Sequence, residues 1–390
     1  MRNKIINFIE KFYLKRSLSS SLAALFMNRV FQAVSFGFFS IFLPIFIYQQ
    51  FDNSLQMVII YFILDFLLYV VTLPLGARLM SKIGLKGSMV VSSFFLIGFY
   101  ISFYYFTPSY LYLIIPLFIK TIYRNLYWVP YHTEFARFSH RFFRGKELGL
   151  MEAIYAVLSI GIPVTAGFIL SNYGFNYLFT LAIIIVFLSI IPLFLTEKVE
   201  EKYVWGYFKS FKKLFSKGNR HATLSYFADG LQDNVGLVIW PVFIFVLLSE
   251  KYSSVGLVSS LIIAGTVFLR LVFGSLSDRP SSHRLLRVSS FFYAIGWTFK
   301  ALISSASQIF LVGVYHDFTK VMMRTPFDTI RYEKSADWGH YVDEYTVLRE
   351  IALNAGRVVA LILALVLIQF FDIRIVFYLA AFASLFVGFL

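Results

Sequence analysis

The stretch FNYLFTLAIIIVFLSIIPLFL, residues 175–195, runs for twenty-one positions without one charge, and Thr196, Glu197 and Lys198 end it abruptly. A run of about twenty apolar residues is the length that crosses a hydrocarbon core of about 30 Å as a helix. Lipid offers the backbone no hydrogen-bond partner, so such a run has to satisfy its own amides. A transmembrane β-barrel would alternate in segments of about ten residues, and the unbroken run from Leu178 to Leu195 excludes that architecture. Similar blocks recur through all 390 residues, of which 59% are hydrophobic and only 14% charged, with a mean hydropathy of +0.74. Charged residues normally make up about a quarter of a soluble domain. The fold class is therefore an all-α polytopic membrane protein.

Working outward from 175–195, the sequence predicts twelve spans: 22–48, 55–75, 88–106, 110–130, 148–170, 175–195, 222–248, 255–276, 286–303, 309–327, 347–370 and 373–390. Connections on one side are short and almost free of basic residues, with only Lys251, Lys300 and Arg374 near span ends. The other side carries Lys4, Lys11, Lys15, Arg16, Lys82, Lys86, Arg137, Arg141, Arg144, Lys146, the run from Lys198 to Arg220, then Arg279, Arg284 and Arg287. Positive-inside asymmetry places that side, both termini included, in the cytoplasm, and a prokaryotic inner membrane is the expected location. The net charge of +14 is thereby read as topology and contact with anionic lipid, not as a nucleic-acid surface.

The longest connection falls between spans six and seven and divides the chain. Residues 1–18 read as a cytoplasmic amphipathic segment, 19–196 as a six-helix bundle, 197–220 as a linker and 221–390 as a second six-helix bundle. Within the linker, Phe208, Phe211, Leu214 and Phe215 flank the basic residues of 209–217, which predicts an amphipathic helix on the inner leaflet. The two bundles echo each other. Gln32 answers Gln232, Lys120 and Arg124 answer Lys320 and Arg324 with the same four-residue step, and Glu152 answers Glu350. Their common spacing points to an internal duplication.

Three short segments carry a family resemblance. The loop after span two contains Ala77, Arg78, Leu79, Ser81, Lys82, Gly84 and Lys86, and the loop after span eight contains Gly274, Leu276, Asp278 and Arg279. Both resemble the G-x-L-x-D-R-x-G-R-K/R pattern of the major facilitator superfamily. Ala77 and Ser81 replace a glycine and an aspartate in the first copy, and the second lacks the later glycine. Span five ends in Gly161, Pro163, Ala166 and Gly167, similar to that family's antiporter motif G-P-x-x-G-G, and Arg124 resembles its span-four arginine. The resemblance implies secondary transport by two pseudo-symmetric bundles, with export by antiport slightly favoured. It also implies gating at Lys82, Gly84, Lys86, Glu152, Gly274, Asp278, Arg279 and Glu350, where charges at helix ends can pair across a closing gap. The bland reading, basic loops that only obey positive-inside, applies most to Lys82 and Lys86. The span-five glycines read as close-packing devices rather than ligand contacts.

Charges inside spans are the informative residues, since one at the bilayer centre costs about 2.5–3.5 kcal/mol on insertion scales and marks a cavity or a partner. Asp65 lies in span two, with Lys120 and Arg124 in span four. Asp229, Gln232 and Asp233 share a face of span seven, and His316, Lys320 and Arg324 a stripe of span ten beside Asp317. Glu350, Asn354 and Arg357 share a face of span eleven, and Arg29 and Asp229 are candidates for a structural pair. Two readings stay open. These groups pair only with one another and hold the bundles together, or Gln32, Lys120, Arg124, Gln232, Asp233, His316, Asp317, Lys320 and Arg324 bind substrate while Asp65 or Asp229 carries a proton. Asp65 is preferred, because a buried carboxyl changes its proton affinity as basic neighbours engage or leave it.

Enzyme chemistry finds little footing. There is no cysteine, the six histidines form no metal-binding pair, and no glycine-rich phosphate loop is present. No cofactor and no metal are expected. The expected partners are protons, membrane lipids and a small solute, anionic or zwitterionic, handled by a monomer. Two other functions remain as alternatives: a flippase for an amphipathic lipid-like molecule, and a non-transporting sensor or scaffold of the same fold.

Overall fold

The computed structural model describes residues 19–139, 144–199, 201, 203–273, 283–336 and 342–389. The amphipathic N-terminal segment and the loop with Gly274, Asp278 and Arg279 lie outside these residues, as does the side chain of Glu152. Among the described residues 86% are helical and none forms a strand.

The first half contributes α1 (Ser20–Ser40), α2 (Phe42–Gln50), α3 (Leu55–Ile83), α4 (Leu85–Tyr104), α5 (Tyr110–Phe138), α6 (Arg144–Tyr173) and α7 (Phe175–Leu193). The linker holds α8 (Tyr207–Leu214). The second half follows with α9 (Arg220–Asn234), α10 (Trp240–Leu247), α11 (Tyr252–Phe273), α12 (His283–Ala301), α13 (Ala306–Ala336), α14 (Val342–Leu367) and α15 (Ile375–Val387). Among the described residues, eight helical segments are long and apolar enough to cross a membrane on length and composition alone. Helices α5, α12, α13 and α15 are more polar or shorter, and stand where the sequence places spans four, nine, ten and twelve.

Local chemistry sets the ends. Ser19 and Ser54 accept backbone N–H groups of the first turns of α1 and α3, at 3.2 and 3.3 Å. Gly84 joins α3 to α4 at φ +84°, a left-handed conformation that a β-carbon would strain. The sequence predicts one continuous helix for span seven, and here the structure differs. A π-helical turn, Val235–Ile239, separates α9 from α10, and the Trp240 N–H reaches back five residues to the Val235 carbonyl. Pro241 follows at once, and the wider turn accommodates the ring and the hydrogen bond it cannot donate.

Helices α1 to α7 form one set and α9 to α15 another; most packing lies within a set, but α6 and α11 pack chiefly against each other. The two sets meet along α3 against α14 and α6 against α11. At the second seam the backbones touch. A β-carbon on Gly167 would lie 2.6 Å from the Tyr252 carbonyl oxygen, and one on Gly256 2.3 Å from that of Pro163. Gly167 is thus a close-packing device, as the sequence suggested, whereas a β-carbon on Gly161 would meet nothing within 4 Å.

The linker helix is shorter than expected, ending at Leu214 rather than Lys217, because Asn219 Nδ2 turns back to the Lys213 carbonyl at 3.0 Å. Ser210 and Leu214 face the protein, while Phe208 and Phe215 stand 82% and 83% exposed. The residues before it tie both halves: Tyr203 N–H donates to Ser81 Oγ at 2.8 Å and Val204 N–H to Glu344 Oε1 at 2.9 Å. Burial pushes the Tyr203 phenol up to about 12, and its hydroxyl is bonded to Ser210 Oγ at 2.6 Å.

Candidate functional site

Helices α3 and α5 build the first part of the site. Asp65 on α3 is wholly buried, and a carboxylate there is tolerable only with charged partners. The four-residue step on α5 supplies two: Lys120 Nζ at 2.9 Å and Arg124 Nη1 at 3.4 Å, both on Asp65 Oδ2. Asp65 Oδ1 has no hydrogen-bond partner among the described residues. Aromatic faces hold the cations in place. The Arg124 guanidinium lies 3.8 Å from the Tyr69 ring and Lys120 Nζ 5.4 Å from Phe62. Gln32 is buried beside them, accepting from Tyr123 Oη at 2.9 Å and donating to Ser93 Oγ at 3.5 Å.

From Arg124 the network leaves the first half. Its other nitrogen donates to Asn354 Oδ1 on α14 at 2.7 Å, an oxygen that also accepts from Arg357 at 3.2 Å. Phe66 lies under both guanidinium groups, 5.4 Å from that of Arg124 and 5.1 Å from that of Arg357. Arg357 then donates to Asp233 Oδ2 on α9 at 2.6 Å.

On the second half Asp233 also meets Lys320 at 3.6 Å and Arg324 at 3.7 Å, both from α13. Arg324 forms its shorter pair, 2.7 Å, with the buried Asp229, and Gln232 Nε2 donates to the other Asp229 oxygen at 2.8 Å. Tyr293 Oη closes the series on Gln232 Oε1 at 2.7 Å. An ion chain thus runs from Lys120 to Tyr293 across the plane between the halves. It holds five basic side chains (Lys120, Arg124, Lys320, Arg324, Arg357) against three carboxylates (Asp65, Asp229, Asp233), so positive charge is left in excess.

The other predicted residues are placed differently. Arg29 does not pair with Asp229, which is taken by Arg324; it stacks 4.8 Å from Trp128 and 5.7 Å from Tyr155. A cation in the first half finds rings at hand where the second half offers an acid, so the positional match does not become a contact. Lys86 donates to the Phe194 and Thr196 carbonyls, both at 2.8 Å, and so caps the end of α7 within its own half. Lys82 ends α3 in its last turn. Glu350 is buried with Arg349 at 2.5 Å and touches Asn354 Nδ2 at 3.3 Å, one step from the ion chain. His316, Asp317, Lys320 and Asp233 line a cavity of about 180 Å³ in the second half, away from Asp65. No group of three or more His, Asp or Glu among the described residues is placed to hold a metal ion.

Sequence reasoning noted Asn354 and Arg357 only as sharing a face with Glu350, yet they are the bridge. It also passed over Lys300 as a residue near a span end. A lysine on the side that lacks basic residues was the available signal.

A family model described as Major Facilitator Superfamily matches residues 25–325. The chain is 25% identical over 217 residues, 53% of its length, to the Bacillus subtilis (strain 168) protein named "Uncharacterized protein YqgE", and the match spans about half of that relative's length, 50%. Among solved structures, the Escherichia coli fucose:proton symporter FucP superposes with a TM-score of 0.66 at 15% identity, covering 96% of this chain and 98% of that one. A peptide transporter, POT, solved in complex with sulfate, superposes with a TM-score of 0.70 at 11% identity, covering 96% and 94%. At such identities the likeness is one of fold.

Proposed function

The chain belongs to the major facilitator superfamily and is an integral membrane protein of the secondary-transporter fold; on that premise we propose that it moves a small anionic or zwitterionic solute by alternating access, coupled to protons. The observation that carries this reading is the ion chain that crosses the plane between the halves, with excess positive charge and one orphaned carboxylate oxygen. Excess positive charge in a membrane interior suits an anionic group of cargo.

Asp65 is the proton carrier in this reading. A proton on its free Oδ1 removes the charge that holds Lys120 and Arg124 on Oδ2. Arg124 then retains only its bond to the neutral Asn354, the polar tie from this chain to α14. Proton arrival therefore releases Lys120 and Arg124 from Oδ2 and leaves Asn354 as the remaining hydrogen-bond partner of Arg124, so the setting of the tie between halves differs between the two protonation states, the kind of differential interaction that alternating access requires. Lys320 and Arg324 offer the corresponding groups on the other half. Both termini are cytoplasmic in this scheme, and export by antiport is favoured by the span-five motif.

The test is flux in proteoliposomes under an imposed pH gradient, across organic anions, amino acids, sugars and cationic dyes. Gradient-driven uphill movement of a charged solute, lost in Asp65→Asn, is the expected result. Flux with the opposite proton sign would reassign the protein from antiport to symport, the mode of FucP. Uphill transport retained by Asp65→Asn would remove the proton assignment.

A further inference from the structure

The cavity beside Lys320 is bounded by α9 and α10, α11, α12 and α13, with Ile41 the contribution from the first half. Much of its polar lining plays no part in the ion chain. Lys300 is 3% exposed, its Nζ held 4.1 Å from the Trp240 ring and 4.7 Å from Trp297, and among the described residues it pairs with no carboxylate. Asp317 lines the same cavity and likewise forms no ion pair among the described residues. Trp297 Nε1 and His316 Nδ1 are buried without a hydrogen-bond partner among the described residues, in side chains 1% and 2% exposed. A cation withdrawn from water without a counter-ion is costly, and contact with two indole faces offsets only part of that. A cation and an anion that face one small cavity without meeting leave room for a molecule that meets both.

We propose that this cavity is a binding site for a small zwitterion of the amino-acid kind, its carboxylate held by Lys300 and Lys320 and its ammonium by Asp317. The apolar body would rest on Leu237, Ile262 and Ile263. A simple anion satisfies only Lys300 and a simple amine only Asp317; a zwitterion completes both. The inference names the cargo class for the transport reading above and rests on it for the word cargo, whereas binding itself does not require flux. It also gives cargo a way to act on the ion chain. A carboxylate on Lys320 competes with Asp233, whose contact with that lysine is long, 3.6 Å. Asp233 in turn holds Arg357, which shares Asn354 with Arg124.

The experiment is equilibrium binding to the purified full chain in lipid nanodiscs. The probes are L-leucine, L-methionine and L-glutamine, beside 4-methylpentanoate, which lacks the amine, and isoamylamine, which lacks the carboxylate. At least one amino acid is expected to bind about tenfold or more tighter than either single-charge probe. Lys300→Met is expected to weaken it by about tenfold or more and to erase the preference over isoamylamine. Asp317→Asn should erase the preference over 4-methylpentanoate. The unliganded Lys300→Met protein should unfold at a higher temperature than wild type, since it loses an unpaired buried cation. Should Lys300→Met fail to fold, Asp317→Asn against Asp317→Glu decides alone, the charge-keeping variant retaining the preference. No amino-acid binding in the wild type, or wild-type binding in Asp317→Asn, overturns the proposal. Binding that behaves as expected without proton-driven flux leaves the site standing and removes the transport mechanism instead.

Discussion

The two halves place the same cations at the same step and give them different surroundings. In the first half Lys120 and Arg124 share one carboxylate oxygen of Asp65, all three nearly sealed from solvent, and aromatic rings fill the space around them. In the second half Lys320 and Arg324 divide between Asp229 and Asp233 and remain 37% and 24% exposed, and Lys320 borders a cavity. The acids have moved as well: α3 supplies the one, α9 the pair. Under the proposed transport function, the difference reads as a division of labour between two halves with matching cations. A tight site with one carboxylate suits a proton, which needs a change of affinity and almost no room. An open site with a surplus of donors suits a solute.

The comparison can be broken most sharply at its acids. Asp65→Asn leaves Lys120 and Arg124 buried without their counter-charge, a loss of about 3–5 kcal/mol for a broken buried pair. It should lower the thermal unfolding midpoint and reduce gradient-driven flux to the passive level, while exchange without a gradient continues. Asp233→Asn, on the open side, removes the carboxylate that competes with cargo for Lys320 and should instead tighten cargo binding and keep coupling. Equal effects of the two on coupling would end the division of labour.

The next contrast lies between neighbouring cations. Arg324→Met strands the buried Asp229 and should also cost about 3–5 kcal/mol, whereas Lys320→Met, more exposed and 3.6 Å from its partner, should cost about 0–1 kcal/mol. Denaturant unfolding of the two variants measures this difference directly.

A third test probes the seam that both halves share. Gly167→Ala drives a methyl toward the Tyr252 carbonyl, 2.6 Å from the ideal position, for about 1–3 kcal/mol of overpacking. Because the seam belongs to one arrangement of the halves, the variant should alter flux more than cargo affinity, as transport and binding measured on one preparation would show. The smallest effect is expected at the linker. Glu344→Gln keeps an acceptor for the Val204 N–H, and unfolding should shift by no more than about 1 kcal/mol.

The sequence made the family visible through length and sidedness, and most of the ion chain through residue type. Lys120, Arg124, Lys320 and Arg324 were readable because a charge inside a span needs a reason and a repeated charge needs the same reason twice. Asp65 was readable as the only acid of its span. The partners were not. Arg29 and Asp229 sit at equivalent positions, and nothing in the chain order reveals that Trp128 lies over one and Arg324 against the other. Asn354 carries no charge and gave no warning that it would join Arg124 to Arg357. Lys300 looked like a residue at a membrane edge, since its closeness to Trp240 depends on how α12 packs beside α10.

What the sequence determined by itself is whatever depends on the solvent: which segments are apolar enough to enter lipid, and which side chains cannot be there without compensation. Those follow from hydrophobic length and from the cost of burying charge, each a property of residues close together in the chain. The tertiary structure decided which compensation each charge received. Coulomb attraction and hydrogen bonding act over a few ångströms, and residues 230 positions apart, such as Arg124 and Asn354, come within 2.7 Å only when the helices have packed. Hence the cavity, the bridge between the halves and the orphaned oxygen of Asp65 belong to the packing, although the residues that make them were always in view.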